Sequence, residues 1–229
     1  MTFEQLETVL DGVVAAYGAQ TPLTELPADA YSSMGYPKLL PLMRFSVRRY
    51  AAEGFGNLFT MYTRAMGGRM QLATLTWTPN LGTDVPLLLM DVMAFGKKKA
   101  AFVEYYDLTE KGAACPELEK LKGKYDALPD YPEKPAWYIG ERAAYSLIKG
   151  GEADEMLASM LLDSARAYGT LCAERQTNRK EENRTGLSRF VERMVREGNP
   201  SSATMEKVLG KAGAETFFRS AVMPIPYQA

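Results

Sequence analysis

Residues 85–107 read VPLLLMDVMAFGKKKAAFVEYYD, and this stretch decides the fold of the chain. It contains two runs rich in leucine, β-branched and aromatic residues, separated by the turn-forming segment Phe95-Gly96-Lys97. A short glycine-containing connection between two such runs is typical of a β-hairpin. The sequence therefore predicts two neighbouring antiparallel strands, at residues 85–95 and 99–107.

The same strand-like pattern extends toward the N-terminus. Gly67-Gly68 joins two more runs of this kind, and such a pair favours a tight two-residue hairpin turn. Because short connections place consecutive strands side by side, we expect an antiparallel meander over residues 44–107. The upstream strands are expected at residues 44–54, 57–66 and 69–77.

Helical patterns flank the predicted meander. Thr2 and Gln5 have the spacing of a capping box, and apolar residues then recur at helical intervals up to Gly18. Residues 21–41 are rich in proline and small residues, which predicts an irregular connection. Beyond the meander, we expect a short strand near residues 143–148. Further helices are expected at residues 115–128, 152–176, 184–198 and 201–222.

A run of strands followed by a run of helices predicts an α+β fold. The strand at 85–95 is apolar on both faces, so helices are expected to cover both sides of the sheet. We expect one domain, residues 1–229. It would consist of an N-terminal helix and connection (1–43), the strand meander (44–107) and a mainly helical part (108–229).

Composition excludes several classes of function. The chain has 27 Lys and Arg against 28 Asp and Glu, so it has no overall attraction to nucleic acid. It contains no histidine, which excludes every mechanism based on imidazole. Cys115 and Cys172 each lack a second cysteine at ligand spacing, so no zinc or iron–sulfur site is expected from them. Two free thiols or one disulfide remain the alternatives.

Two features of the sequence predict a cytoplasmic location. Glu4 and Glu7 stand where a secretory signal would carry basic residues. The longest apolar runs, such as residues 85–90, are far shorter than the roughly 20 residues needed to cross a bilayer. We therefore expect no association with a membrane.

Asp91 interrupts the apolar strand at 85–95. An isolated carboxylate is costly in such surroundings, so Asp91 is expected to find a partner, to keep its proton or to line a cavity. A carboxyl kept neutral by burial is a competent proton donor. The alternative is a structural role, in which an arginine or backbone amides bind the carboxylate.

The residues around Asp91 resemble those of the ferredoxin-dependent bilin reductases, to which the red chlorophyll catabolite reductases are related. Members of that family have a histidine, a proline five residues later, an Asp-x-Pro, and an aspartate five residues after this second proline. Pro79, residues 84–86 (Asp-Val-Pro) and Asp91 occupy these positions, and Thr74 stands in place of the histidine.

Three later segments are also similar to that family. Residues 135–146, PAWYIGERAAYS, resemble a Pro-x-Trp segment that leads to a strand, and residues 208–223 resemble the final helix and C-terminal strand end. Residues 189–199, RFVERMVREGN, resemble a helix that carries an asparagine or aspartate into the bilin pocket. Asn199 would be the corresponding residue.

The resemblance implies a three-layer α/β/α sandwich with an open-chain tetrapyrrole between the sheet and the C-terminal helices. It also implies reduction by single electrons from ferredoxin, with protons from the protein and with no flavin or metal bound. Asp91 would be the proton donor and Asn199 a second catalytic residue. Thr74 would contact the substrate. So would Tyr62, which a gapless count places near an additional acid of some members.

Several basic residues are candidates for ligand or partner contacts. Arg142 and Lys207 would pair with the propionates of a tetrapyrrole, as arginine and lysine commonly do with carboxylates. Lys97, Lys98 and Lys99 form a basic turn on which an acidic electron-transfer protein would dock. The alternative for this turn is a solvated segment that protects a sheet edge.

The sequence thus predicts an oxidoreductase that reduces an open-chain tetrapyrrole with electrons from ferredoxin or a similar donor. Two alternatives stay open. One is a noncatalytic protein that binds a tetrapyrrole or another planar acid, which the absence of histidine favours. The other is an interaction protein without a pigment ligand, in which Asp91 would bind an arginine in a closed core.

Overall fold

The computed structural model describes residues 3–109 and 115–225, with side chains described from Leu6 onward within the first helix. Helix α1 spans Phe3–Gly18 and ends where the sequence predicts. The predicted capping box involves Thr2 and the side chain of Gln5, which lie outside the described residues.

Within the described residues, an antiparallel sheet of eight strands forms the middle layer of the fold. The strands are β1 (Leu23–Leu26), β2 (Ser33–Tyr36), β3 (Met43–Ala52), β4 (Gly56–Ala65), β5 (Met70–Pro79), β6 (Leu87–Phe95), β7 (Lys98–Tyr106) and β8 (Leu147–Gly150). Their order in the sheet is β1-β3-β4-β5-β6-β7-β8, and β2 also pairs with β3. The predicted meander corresponds to β3 through β7, in which every strand pairs with the next one along the chain.

The remaining α-helices follow β7 in the chain, one before β8 and the others after it. Their ends lie within four residues of the predicted ones, except that the last predicted helix is divided. They are α2 (Pro116–Lys124), α3 (Asp154–Glu174), α4 (Lys180–Arg196), α5 (Ser202–Leu209) and α6 (Lys211–Phe217), followed by a π-helical turn, Phe218–Val222. Gly210 divides α5 from α6 because its φ of 74° and ψ of 164° interrupt the helix, and a positive φ favours glycine.

Four local predictions are corrected by the structure. The connection at 21–41 is more regular than predicted, since β1 and β2 both pair along the outer edge of β3. The four residues 66–69 join β4 to β5, so this turn is longer than two residues. Strand β8 begins at Leu147, a few residues later than expected. The chain at 218–222 is helical, where the resemblance implied a strand end.

Helices cover both faces of the sheet, as the apolar strand β6 predicts. On one face α1 and α3 pack against the sheet, with the rings of Tyr17 and Trp77 4.3 Å apart. On the other face lie α4, α5 and α6, with the rings of Phe59 and Phe217 5.7 Å apart. The expected α+β fold, a three-layer α/β/α sandwich around an antiparallel meander, is confirmed.

The alternation of β6 decides which layer Asp91 faces. Leu88 and Met90 pack in the cluster beneath α1 and α3, whereas Leu87 and Leu89 pack beneath the C-terminal helices. Successive side chains of a strand point to opposite faces, so Asp91 shares the face of Leu87 and Leu89. Asp91 therefore lies between the sheet and the C-terminal helices.

Two further observations concern the expectations drawn from composition. Cys115 and Cys172 are both buried free thiols, which decides between the two alternatives for this pair. Within residues 3–109 and 115–225, the helices are all too short or too polar to cross a bilayer.

Candidate functional site

A cavity of about 170 Å³ lies between the sheet and the C-terminal helices. Its floor is formed by alternate residues of β3 to β7, and its roof by α4, α5, the connection between them and the π-helical turn. Most of its wall is apolar. The polar residues that line it include Thr63, Thr74, Thr76, Asp91, Glu104 and Asn199. An apolar cavity with a few convergent polar groups is the usual form of a ligand site.

Asp91 and Thr74 form a cross-strand pair on the floor of this cavity. They are directly opposite in the register of β5 and β6, and the Thr74 hydroxyl donates a 2.5 Å hydrogen bond to Asp91 Oδ1. Burial raises the pKa of Asp91 to about 7, a shift that the Thr74 hydrogen bond opposes and the charge of Glu104 increases. Within the described part of the chain, no cation pairs with Asp91. A large fraction of the Asp91 carboxyl is therefore protonated at neutral pH.

Glu104 is a second carboxyl in the same cavity, and the sequence analysis missed it. It lies on β7 opposite Leu89, two residue pairs from Asp91 along the strands and on the same face of the sheet. Burial raises the pKa of Glu104, while the guanidinium of Arg142 and the Tyr106 hydroxyl oppose this shift. Side chains alternate between the two faces of the sheet along β7, so Glu104 shares a face with Tyr106. This alternation is the sequence signal that points to Glu104.

Arg142 holds Glu104 in place. Its guanidinium pairs with Glu104 and lies 2.7 Å from Glu133 Oε2. The Tyr106 hydroxyl donates a 2.9 Å hydrogen bond to the same oxygen of Glu104. The side chains of Arg142 and Glu104 are only 8% and 9% exposed, so the pair is buried. Glu104 and Tyr106 of this cluster line the cavity.

Asn199 reaches the cavity from the connection between α4 and α5. Its Oδ1 accepts hydrogen bonds from the Ser201 backbone N–H (3.0 Å) and hydroxyl (2.9 Å), and its Nδ2 donates to the Met194 carbonyl at 3.2 Å. Trp137 Nε1 donates a 2.8 Å hydrogen bond to the Gly198 carbonyl. The segment that resembles the family Pro-x-Trp motif therefore holds the connection that carries Asn199.

Comparison with solved structures identifies the architecture. The structure is similar to that of phytochromobilin synthase from tomato, solved in complex with biliverdin, with a TM-score of 0.79 and 13% sequence identity. The match covers 94% of this chain and 82% of that chain. This chain has the bilin reductase fold. No protein-family model matches the chain, and no curated protein matches it in sequence.

Within this bilin reductase fold, the strand register corrects the position predicted for Tyr62. Met61 lies opposite Thr74, and Tyr62 lies opposite Ala73. A shift of one residue moves a side chain to the other face of a strand, so Tyr62 packs beneath α1 and α3. Met61, not Tyr62, lines the cavity beside Thr74. The gapless count was wrong by one residue, because it carried no information about the pairing of β4 with β5.

The structure corrects the role predicted for Arg142, whereas the role predicted for Lys207 stays a prediction. Arg142 is buried against two carboxylates and does not line the cavity, so its guanidinium is not available to a propionate. Lys207 is exposed on α5, whose inward residues are Met205 and Val208. Neither cation is part of the cavity wall.

The basic turn between β6 and β7 is smaller than the sequence suggests. Lys97 and Lys98 are exposed, whereas Lys99 pairs with Asp154 at the start of α3. In the strand register, Lys98 lies opposite Phe95, and Phe95 lies opposite Met70, which lines the cavity. The two exposed lysines therefore lie at the same end of the sheet as Met70.

Methionine side chains make up a large part of the cavity wall. Methionine is unbranched and flexible, so it adapts its shape to a bound molecule more readily than other apolar residues. A wall of this composition suits a bulky planar ligand, because the cavity can widen by rotation of side chains. The six methionines that line it are Met43, Met61, Met70, Met194, Met205 and Met223.

Asp91→Asn is expected to stabilise the protein, and more so at pH 8 than at pH 5. The pKa of Asp91 is about 7 in the folded chain and about 3.9 in the unfolded chain. As pH rises between these values, the unfolded chain loses its proton first, so Asp91 lowers the free energy of unfolding progressively. The decrease in the free energy of unfolding is complete above pH 7 and amounts to about 4 kcal/mol at most.

Urea unfolding of both proteins at the two pH values measures this effect. Asp126 is exposed, so Asp126→Asn is the matched control and is expected to change stability equally at both pH values. An Asp91→Asn protein that is no more stable than wild type at pH 8 would contradict the assignment of a protonated carboxyl.

Proposed function

We propose that this chain binds an open-chain tetrapyrrole in the cavity and reduces it, with Asp91 as the proton donor. One observation carries the proposal: the Asp91 carboxyl faces the cavity with no cationic partner among the described residues, and burial favours its protonated form. The shared fold with phytochromobilin synthase, solved in complex with biliverdin, supports the choice of ligand. Thr74 orients the carboxyl through its hydrogen bond.

The proposed reaction adds two electrons and two protons to one double bond of the pigment. Two molecules of a reduced one-electron donor, such as ferredoxin, each give one electron and become oxidised. Asp91 gives one proton and recovers it from solvent. The second proton comes from water, because the hydroxyl of Thr74 and the amide of Asn199 are not acids at neutral pH.

The proposed docking place for the electron donor is the turn between β6 and β7. Lys97 and Lys98 are exposed there, and charged residues of this kind attract an acidic protein over a distance. Phe95, which is 48% exposed, adds an apolar contact beside them. An electron donor bound at this turn would lie at the same end of the sheet as Met70, which lines the cavity.

Titration with biliverdin tests the proposal. We expect a red-shifted visible band on binding, and loss of that band when reduced ferredoxin is supplied. Thr204→Phe, which fills the cavity from α5, is expected to abolish the band. Ala203→Phe places the same ring on the exposed side of α5 and is expected to preserve it. The absence of any band at about 50 µM protein would rule out the proposal, since binding would then be weaker than a specific site provides.

A noncatalytic tetrapyrrole-binding protein is the second candidate. Thr74 favours it, because a hydroxyl cannot replace the acidic imidazolium that the family carries at this position. This candidate predicts the visible band without its loss under reduced ferredoxin. The third candidate, an interaction protein, required Asp91 to bind an arginine in a closed core, and this geometry is not observed among the described residues.

A further inference from the structure

We propose that this chain docks on an anionic membrane surface through a cluster of exposed apolar residues at one end of the sheet. The cluster comprises Leu39, Leu40, Leu42 and Met66, and exposed basic residues lie beside it. The inference goes beyond the proposed function, because it concerns the outer surface of the protein and its main test requires no pigment. It also departs from the sequence-based expectation of no membrane association, which considered only segments long enough to cross a bilayer.

The placement of the exposed apolar side chains is the first observation. Within the described residues, seven large apolar side chains are exposed, and all of them except Met156 lie at one end of the sheet. One row of the strand register marks this end and runs across β2 to β6 through Tyr36, Met43, Ala65, Met70 and Phe95. The cluster lies just beyond this row, in the connection between β2 and β3 and in the connection after β4.

Backbone hydrogen bonds hold these two connections together. The Leu42 N–H donates to the Tyr36 carbonyl at 3.0 Å, and the Met66 N–H donates to the Leu42 carbonyl at 3.3 Å. The cluster is therefore one surface, which residues 37–42 and Met66 form only in the folded chain. A contiguous exposed apolar surface of this kind marks a contact with a protein or a membrane.

The charge of this surface is the second, independent observation. Segments 36–44 and 64–69 contain no acidic residue. Their basic residues, all of them exposed, are Lys38, Arg44, Arg64 and Arg69. Exposed apolar side chains next to lysine and arginine are typical of proteins that bind anionic lipid, because the apolar groups enter the headgroup boundary and the cations attract the phosphates.

The exposure of the leucines favours a bilayer over a protein as the partner. Leu39 is 100% exposed, and Leu40 and Leu42 are 73% and 67% exposed. A protein partner must offer a pocket that matches each such side chain, whereas the boundary of a bilayer accepts protruding apolar groups without one. A second copy of this chain is disfavoured, since two surfaces of the same positive charge repel each other.

Docking of this surface would bring the cavity close to the lipid. Met43 and Met70 line the cavity and belong to the row of the sheet that borders the cluster. The bound membrane would therefore lie at this end of the cavity.

Cosedimentation with lipid vesicles tests the inference. We expect the protein to bind vesicles of phosphatidylcholine with about 30% phosphatidylserine at least about tenfold more tightly than vesicles of phosphatidylcholine alone. Binding to the anionic vesicles is expected to weaken as salt rises from about 50 mM to about 500 mM, because salt screens the attraction. No binding to the anionic vesicles, or equal binding to both compositions, overturns the inference and leaves the proposed function intact.

Two matched pairs of variants test the surface itself. The double variant Leu39→Ser/Leu40→Ser is expected to weaken vesicle binding at least about tenfold. Met156→Ser changes the exposed apolar residue on α3 and is expected to leave binding unchanged. Lys38→Gln is expected to weaken binding about fivefold, whereas Lys120→Gln on α2 is expected to have no effect. All these residues are exposed, and urea unfolding verifies that each variant folds. Wild-type binding by the double leucine variant contradicts the inference.

Two other occupants of this surface give different results. Size-exclusion chromatography detects a second copy of the chain. The rate of reduction by ferredoxin detects a docked electron donor, whose proposed turn is adjacent because the Gly96 N–H donates a 3.0 Å hydrogen bond to the Arg69 carbonyl. A dimer that the double leucine variant dissociates, or slower reduction by this variant without any loss of vesicle binding, assigns the surface to that occupant and overturns the inference.

Discussion

Asp91→Asn is expected to bind biliverdin with the visible band intact and to reduce it at least about 100-fold more slowly than wild type. Asparagine keeps the shape of the side chain, and its carbonyl oxygen still accepts the hydrogen bond from Thr74. It carries no transferable proton, so the step that depends on the Asp91 carboxyl is lost.

Single-turnover absorbance under a reduced ferredoxin system measures this loss. Because the substitution is expected to stabilise the chain at neutral pH, slow turnover cannot be attributed to unfolding. Asp126→Asn makes the same chemical change on the surface and is expected to retain the wild-type rate. Reduction at the wild-type rate by Asp91→Asn would show that another group supplies the proton.

Arg142→Met is expected to lower the free energy of unfolding by about 3–5 kcal/mol. The substitution leaves Glu104 buried without its cation, since both side chains of the pair are less than one tenth exposed. The Tyr106 hydroxyl remains as a partner of Glu104 but supplies no charge. The loss is expected to be smaller at low pH, where Glu104 keeps a proton in the folded chain.

Urea unfolding at pH 5 and pH 8 tests this prediction, and two comparisons establish its cause. Adding Glu104→Gln to Arg142→Met is expected to recover most of the stability, because position 104 then carries no unpaired charge. Arg193→Met, which removes exposed ion pairs with Glu141 and Glu197, is expected to lower the free energy of unfolding far less than Arg142→Met does. Equal stability of Arg142→Met and wild type would mean that Glu104 is protonated in the native state.

The parts of the fold that follow from local pattern were predictable. The turn at 95–97 and the apolar runs on either side of it predict the pairing of β6 with β7. A short turn places the two strands that it connects next to each other. The apolar character of β6 on both faces predicts a helical layer on each side. Gly210 shows the limit of this approach, because helical periodicity continues through a residue whose backbone conformation ends the helix.

The candidate site was predictable only in part. Asp91 stands out because a carboxyl within an apolar strand requires an explanation. The spacing between Thr74 and Asp91 matches the family motif, so the sequence analysis assigned both residues to one site. Glu104 did not stand out, although it lines the same cavity. Its importance comes from burial and from its contacts with Arg142 and Tyr106, whereas the alternation of β7 shows only that it shares a face with Tyr106.

The sequence by itself determined the antiparallel meander, the helical cover of both faces and the presence of an acid inside an apolar strand. These features depend on residues close together in the chain, where side-chain period and turn geometry act directly. Only the tertiary structure decided that Met61 rather than Tyr62 lies beside Thr74, that Arg142 binds Glu104, and that the Asp91 carboxyl faces a cavity. Each of these depends on strand register or on contacts between residues far apart in sequence, and a shift of one residue reverses the face of every side chain in a strand.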